Sequence, residues 1–189
     1  MPSASRLALL VIDMQQGLFA SEQSRYRSAN VVANINLLIH HCHLQSRPVI
    51  FIQHDGGRDD PLEPHTPGWN LLPQLRRAAH DHVLRKTACD AFYRTGLAPL
   101  LHSLRVGTLM ITGCATDFCV DTTLRAAASL DYQLLAISDA HTTANRPHLA
   151  AEQIIRHHNF MWQNLLIPTP IELIETKQML ERLQNDCAA

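Results

Sequence analysis

Asp13, Lys86 and Cys119 are the residues of this chain whose types and positions suit covalent chemistry. Asp13 directly closes an apolar run at residues 7–12, where a carboxylate is either a strand-end turn residue or a partly desolvated acid–base group. Lys86 follows a short apolar stretch at residues 83–84, and taken alone it reads as a solvated lysine. Cys119 carries more information. It lies in the first turn of a predicted helix entered through residues 113–119, GCATDFC. Backbone N–H groups and the helix dipole at such a turn favour an anion, and an adjacent ammonium lowers a thiol pKa further. The opposing reading is a buried structural cysteine, and Cys42, Cys89, Cys114 and Cys187 are assigned to that class.

The elements that must position these groups alternate along the chain. Residues 7–12 are a continuous apolar run of the kind expected of a strand buried on both faces. From Ser28 to about Cys42, apolar residues recur with helical period at Val31, Val32, Ile35, Leu38, Ile39 and Cys42. Residues 48–52 give a second strand, followed by a Pro- and Gly-rich segment to residue 73, long enough to be a functional loop or a lid. Strands are predicted at 83–84, 108–112, 134–138 and 165–167, and helices at 97–104, 117–130 and 148–162. Asp117 or Thr116 is placed to cap the helix at 117–130. Thr169, Pro170 and Glu172 read as a capping-box start for a final helix. Alternating strands and helices argue for one three-layer α/β/α domain over residues 1–189 with a mostly parallel sheet. In such sheets the working groups gather at the carboxyl ends of strands, where Asp13, Lys86 and Cys119 fall.

Composition removes several function classes. The 189 residues carry a formal charge of −1, without the strong field that nucleic-acid or membrane-surface binding needs. No stretch approaches the roughly 20 apolar residues of a membrane helix. The run at 7–12 is too short for a secretion signal and ends in Asp13. The five cysteines form no C-x-x-C pair and no disulfide pattern, which reads as a reducing, cytoplasmic setting. Most of the twelve histidines, including His40, His41, His43, His157 and His158, read as solvated or partly packed.

Three segments resemble the signatures of the isochorismatase-like cysteine hydrolases. They are residues 9–15 (LLVIDMQ), Lys86 with Asp90, Ala91, Phe92 and Thr95, and residues 112–120 (TGCATDFCV). Thr123, Ala127, Tyr132 and residues 138–140 continue the pattern, in order, from about residue 6 to 143. The resemblance implies a six-stranded Rossmann-like sheet in the order 3-2-1-4-5-6. It implies Cys119 as nucleophile, Asp13 as base and Lys86 holding the anionic pair, with hydrolysis of an amide, carbamoyl or lactam-like C–N bond through a thioester. The Ala115 and Cys119 N–H groups would form the oxyanion hole. A cis peptide is expected at Cys114–Ala115. Members that hydrolyse a vinyl ether lack this cysteine, so that reaction is not expected.

Metal-binding relatives carry an Asp-x-His pair after strand two, whereas residues 53–57 here read QHDGG. His54, Asp55 and His65 could still form an improvised site, but the simpler reading makes His54 a pocket-lining polar group, and no required metal or other cofactor is expected. The loop at 54–69 resembles that of members related to streptothricin hydrolase, and Trp69, Phe92 and Tyr93 are expected to wall the pocket; anchoring of the loop is the other reading of Trp69. A small-molecule substrate and a homo-oligomer, dimer or tetramer, complete the expectation. The rival readings are a catalytically silent scaffold and a thiol redox protein pairing Cys119 with Cys114.

Overall fold

A computed structural model describes residues 6–20 and 25–185; Cys187 lies outside them. Six strands form one parallel sheet in the order β3-β2-β1-β4-β5-β6, as the resemblance implies. They are β1 (Arg6–Ile12), β2 (Val49–His54), β3 (His82–Lys86), β4 (Val106–Cys114), β5 (Gln133–Thr142) and β6 (Glu172–Ile174). The helices are α1 (Gln16–Phe19), α2 (Ser28–Leu44), α3 (Leu97–Ser103), α4 (Asp121–Ser129), α5 (Ala151–Gln163) and α6 (Thr176–Asn185). None among the described residues is long and apolar enough to cross a membrane.

Strand β1 divides the core between the two faces by its period of two. Leu7, Leu9 and Val11 pack with Ile35, Leu38 and Ile39 of α2 and Met179 and Leu183 of α6. Ala8, Leu10 and Ile12 pack on the opposite face with Leu97 and Leu101 of α3, Leu124 and Ala127 of α4 and Trp162 of α5. Each buried Leu, Val or Ile contributes about 1.5–3 kcal/mol. Together these side chains outweigh the several kcal/mol that one buried carboxylate costs at the strand's end. The apolar run thus drives Asp13 to a place it would not otherwise occupy.

β1 and β4 are neighbours at the point where strand order reverses. Gly113 pairs with Ile12 and has φ +121°; a Cβ there would lie 2.1 Å from the Ile12 carbonyl oxygen. Only glycine fits. Gly113→Ala is expected to lower unfolding stability by more than ~2 kcal/mol, read as a shift of the urea midpoint. An unchanged midpoint would show that the two strands can part without cost.

Two readings of the sequence are corrected. Residues 165–167 are not the sixth strand: Leu166 is 99% exposed, and Glu172–Ile174 pair with Leu135, Ala136 and Ile137 of β5 instead. Pro170 accordingly serves the approach to β6 rather than a helix start, and α6 begins at Thr176, whose N–H and hydroxyl both donate to Asp139 Oδ1. The helix read at 117–130 is also divided. Residues Thr116–Val120 form a π-helical turn, closed by the Val120 N–H on the Ala115 carbonyl at 3.1 Å, and α4 follows at Asp121.

Candidate active site

The carboxyl ends of β1, β2, β3 and β4 meet at a cavity of about 430 Å³. Asp13 is the first residue beyond β1, with φ 46°, and its N–H donates to the Ile52 carbonyl of β2 at 2.9 Å. A non-glycine residue held in that region is a local strain that surrounding structure must over-determine. Lys86 closes β3 in register with His54, and its side chain passes His54 to reach Asp13. Cys119 arrives from the π-turn beyond β4.

The Lys86 ammonium is the hub. It lies 2.7 Å from Asp13 Oδ2, 3.2 Å from Cys119 Sγ, 2.9 Å from the Ala88 carbonyl oxygen and 3.1 Å from His54 Nδ1. The ion pair is out of water, with side-chain exposures of 0% for Lys86 and 2% for Asp13. Asp13 Oδ1 is buried and has no hydrogen-bond partner among the described residues.

The electrostatics correct one expectation. Burial, and after it the Asp13 carboxylate, push the Cys119 thiol well above its ordinary value, against the pull of Lys86. The resting sulfur is therefore a thiol, not the ready thiolate that a helix terminus beside a lysine suggests. Burial also raises the Asp13 pKa, more than Lys86 lowers it. Burial opposes the Lys86 charge, but Asp13 and Cys119 outweigh it and the lysine stays protonated. His54 is lowered by burial and then by Lys86. It is thus neutral near pH 7, accepts from Lys86 at Nδ1 and carries its proton on Nε2.

Residues for which the sequence suggested no role in the site hold this arrangement. Buried Gln15 clasps His54 from both sides, its Oε1 accepting from the His54 N–H at 2.8 Å and its Nε2 donating to the His54 carbonyl at 3.0 Å. Thr116 donates its hydroxyl to His141 Nδ1 at 2.8 Å, and His141 Nε2 donates to Asn159 Oδ1 at 2.9 Å. Burial drives the His141 pKa down to about 4, so this chain is neutral and pins the π-turn in place. Asp117 is not a helix cap. It pairs with Arg146 at 2.8 Å and accepts from Thr143 at 2.6 Å; burial raises its pKa, but these bonds outweigh that and hold it low. Arg146 in turn lies over the Phe118 ring, 4.9 Å from its centroid. Nothing local marks Arg146, because its partner is 29 residues away. Gln15 had a signal: a polar residue three positions beyond a fully buried strand end.

The expected pocket residues separate. His54 and Ala115 line the cavity with Asp13 and Cys119, and the Cys114–Ala115 peptide is cis. Trp69, Phe92 and Tyr93 do not line it. Trp69 sits on a 3-10 turn (Pro67–Trp69), donates its indole N–H to Asp55 at 2.8 Å and accepts from Gln15 and Gln53 at its carbonyl, so it anchors the loop. Phe92 stacks on Tyr132 at 5.8 Å, and Tyr93 is half-exposed beneath Arg94. Phe118, with Leu18 and Leu62, supplies the apolar wall instead. Asp55 is engaged by Arg85 and Trp69, and His54 by Lys86, so His54, Asp55 and His65 do not converge as ligands. Cys114 is wholly buried, with its thiol pushed up to about 12 by burial, a poor resolving partner for Cys119.

Comparison with known proteins sets this geometry in context. A model of the isochorismatase domain matches residues 7–161. A streptothricin hydrolase from Streptomyces noursei is 33% identical over 140 residues, 74% of this chain and 51% of the relative, so the chain spans about half that protein's length. A ureidoacrylate amidohydrolase from Serratia proteamaculans is 29% identical over 170 residues, covering 70% of this chain and 68% of the relative. A solved isochorismatase family protein superposes with a TM-score of 0.83 at 36% identity, covering 89% of this chain and 98% of its own.

Proposed function

The chain belongs to the isochorismatase family, and from that premise we propose that it is a cysteine hydrolase that cleaves a C–N bond of a small amide, carbamoyl or lactam-like compound. The observation that carries this reading is the single ammonium of Lys86 shared between Asp13 Oδ2 and Cys119 Sγ, at 2.7 and 3.2 Å. Moving the thiol proton from Cys119 to Asp13 changes which group is anionic but leaves the net charge of the buried trio at zero. Lys86 faces the anion before and after the transfer. Burial raises the pKa of both groups, and an exchange that keeps the net charge constant creates no new buried charge.

In the proposed cycle the thiolate of Cys119 attacks the carbonyl carbon, and the carbonyl π electrons move onto oxygen. That oxyanion accepts hydrogen bonds from the Ala115 and Cys119 N–H groups. Collapse expels the amine, which takes the proton held by Asp13, and leaves a thioester on Cys119. Asp13 then removes a proton from water, the hydroxide attacks the thioester, and the thiol regains its proton as the acid product leaves. His54, fixed by Gln15 and Lys86, presents its Nε2 proton to an acceptor on the substrate.

The names of the relatives, a streptothricin hydrolase and a ureidoacrylate amidohydrolase, support an amide or ureido substrate. The test is intact-protein mass spectrometry after rapid quench with a panel of amides and ureido compounds. An acyl adduct mapping to Cys119, accompanied by amine or ammonia release, is the expected result. Turnover with quenched samples that carry an adduct on no cysteine would overturn the thioester route.

A further inference from the structure

Away from the cavity, three potential metal ligands converge between the end of α2 and the start of β3. We propose that His43, His80 and Asp81 form a zinc site that ties these two elements together. Their ligand atoms lie within 4.8 Å of one another, and they are the one such group among the described residues. His43 Nε2 is 2.8 Å and His80 Nε2 3.8 Å from the same oxygen, Asp81 Oδ1. The rings of the two histidines meet edge to face at 4.9 Å.

Asp81 is the fixed point of the group. Its side chain is 1% exposed, and Oδ2 accepts the Ala78 N–H at 2.7 Å while the Asp81 N–H returns to the Ala78 carbonyl at 3.2 Å. That turn aims Oδ1 at the histidines. A tetrahedral zinc ion at about 2.0–2.1 Å from each ligand needs its donors roughly 3.3 Å apart, so small side-chain rotations suffice. Two imidazoles and one carboxylate suit zinc better than magnesium or calcium, which favour all-oxygen sets. His80 is 73% exposed, which gives the ion a path from solvent and leaves a fourth position for water.

The location defines the role. Asp81 immediately precedes β3, and Lys86 closes that strand at its other end. β3 is one of the two edge strands, and among the described residues it pairs with β2 alone. Zinc bound to the trio cross-links its entry to α2 and restrains the strand that delivers Lys86. The ion is structural here, remote from the cavity that holds Cys119.

Calorimetric titration of metal-stripped, untagged full-length chain with zinc chloride tests this. One equivalent is expected to bind wild type and Cys119→Ala alike and to raise the thermal midpoint of both. His80→Ala, at an exposed position that preserves the circular dichroism spectrum, is expected to weaken binding roughly 100-fold or more, beyond what loss of an outer-shell partner produces. His43→Ala should do the same. Cobalt in place of zinc should show d–d bands without thiolate charge transfer. The proposal is overturned by an absence of binding, by unchanged affinity in His80→Ala, by loss of the equivalent in Cys119→Ala, or by a sulfur-to-cobalt band.

Discussion

Cys119→Ala is expected to reduce kcat on the order of 10⁴-fold or more, with substrate binding retained and the adduct on the protein abolished. Removing a covalent nucleophile removes the route rather than one interaction along it, so the effect approaches that of removing the whole constellation. The fold should survive, since Cys119 lies at the edge of its core cluster rather than within it. Cys89→Ala and Cys114→Ser supply the contrast. Cys89 shares the cavity but makes no bond to Lys86, and Cys114 is wholly buried. Both should retain turnover to within about tenfold. Single-turnover kinetics on the three variants distinguish the cases. Comparable losses in all three would mean that a thiol matters only for packing, and activity surviving in Cys119→Ala would place the nucleophile elsewhere.

Lys86→Met is expected to be the most destabilising single change at the site, by about 3–5 kcal/mol, because it leaves Asp13 charged and unpaired in the interior. Turnover should fall on the order of 10²-fold or more, since neither anion in the proton exchange keeps its counter-charge. The loss of stability carries a pH signature. Burial already raises the Asp13 pKa above 3.8 with Lys86 present. Without the ammonium the folded-state value rises further, so the folded variant binds a proton more tightly than the unfolded chain. The variant is then nearest to wild type in acid, and its deficit grows as pH climbs above the unfolded carboxylate value toward the folded one. Asp13→Asn in the same chain removes the stranded charge, so the double variant should recover most of the stability and none of the activity. Urea midpoints for the set at acid and neutral pH decide the matter. A deficit independent of pH, or a double variant no better than the single, would show that the methionine merely packs badly.

The contrast between what the sequence disclosed and what it hid follows the range of the interactions. Asp13 was legible because a carboxylate ends a run of buried apolar residues, and strand ends are where parallel sheets work. The strand order brings β1 and β4 side by side; alternation of strands and helices gave only the layered parallel sheet, and that neighbourhood came from the family resemblance. Three-residue β6 shows no period of its own, so its place fell to the wrong apolar triplet at residues 165–167. The pocket wall failed for a different reason. Trp69, Phe92 and Tyr93 are near the site in sequence terms, but hydrogen bonds to Asp55, stacking on Tyr132 and solvent claim them first. Phe118, inside the π-turn, lines the cavity instead. The Cys119 thiol pKa was misjudged because helix polarity is visible locally and a nearby lysine was expected, whereas the larger effects of burial and the Asp13 charge come from the assembled sheet.

The π-turn at Thr116–Val120 amounts to one residue spliced into the opening of a helix. Each residue of an ordinary helix advances the side-chain direction by about 100°. Without the extra residue, any rotation that aimed Cys119 at Lys86 would also turn Leu124 and Ala127 of α4 away from their core positions. The splice uncouples the two demands. The Cys119 sulfur can be indexed against β3 while the remainder of the helix stays indexed against the sheet. A lineage that lost one residue between Ala115 and Asp121 would keep a well-packed domain and lose the pairing of Cys119 with Lys86 in one deletion, whereas point substitutions in that helix leave the phase between the two untouched.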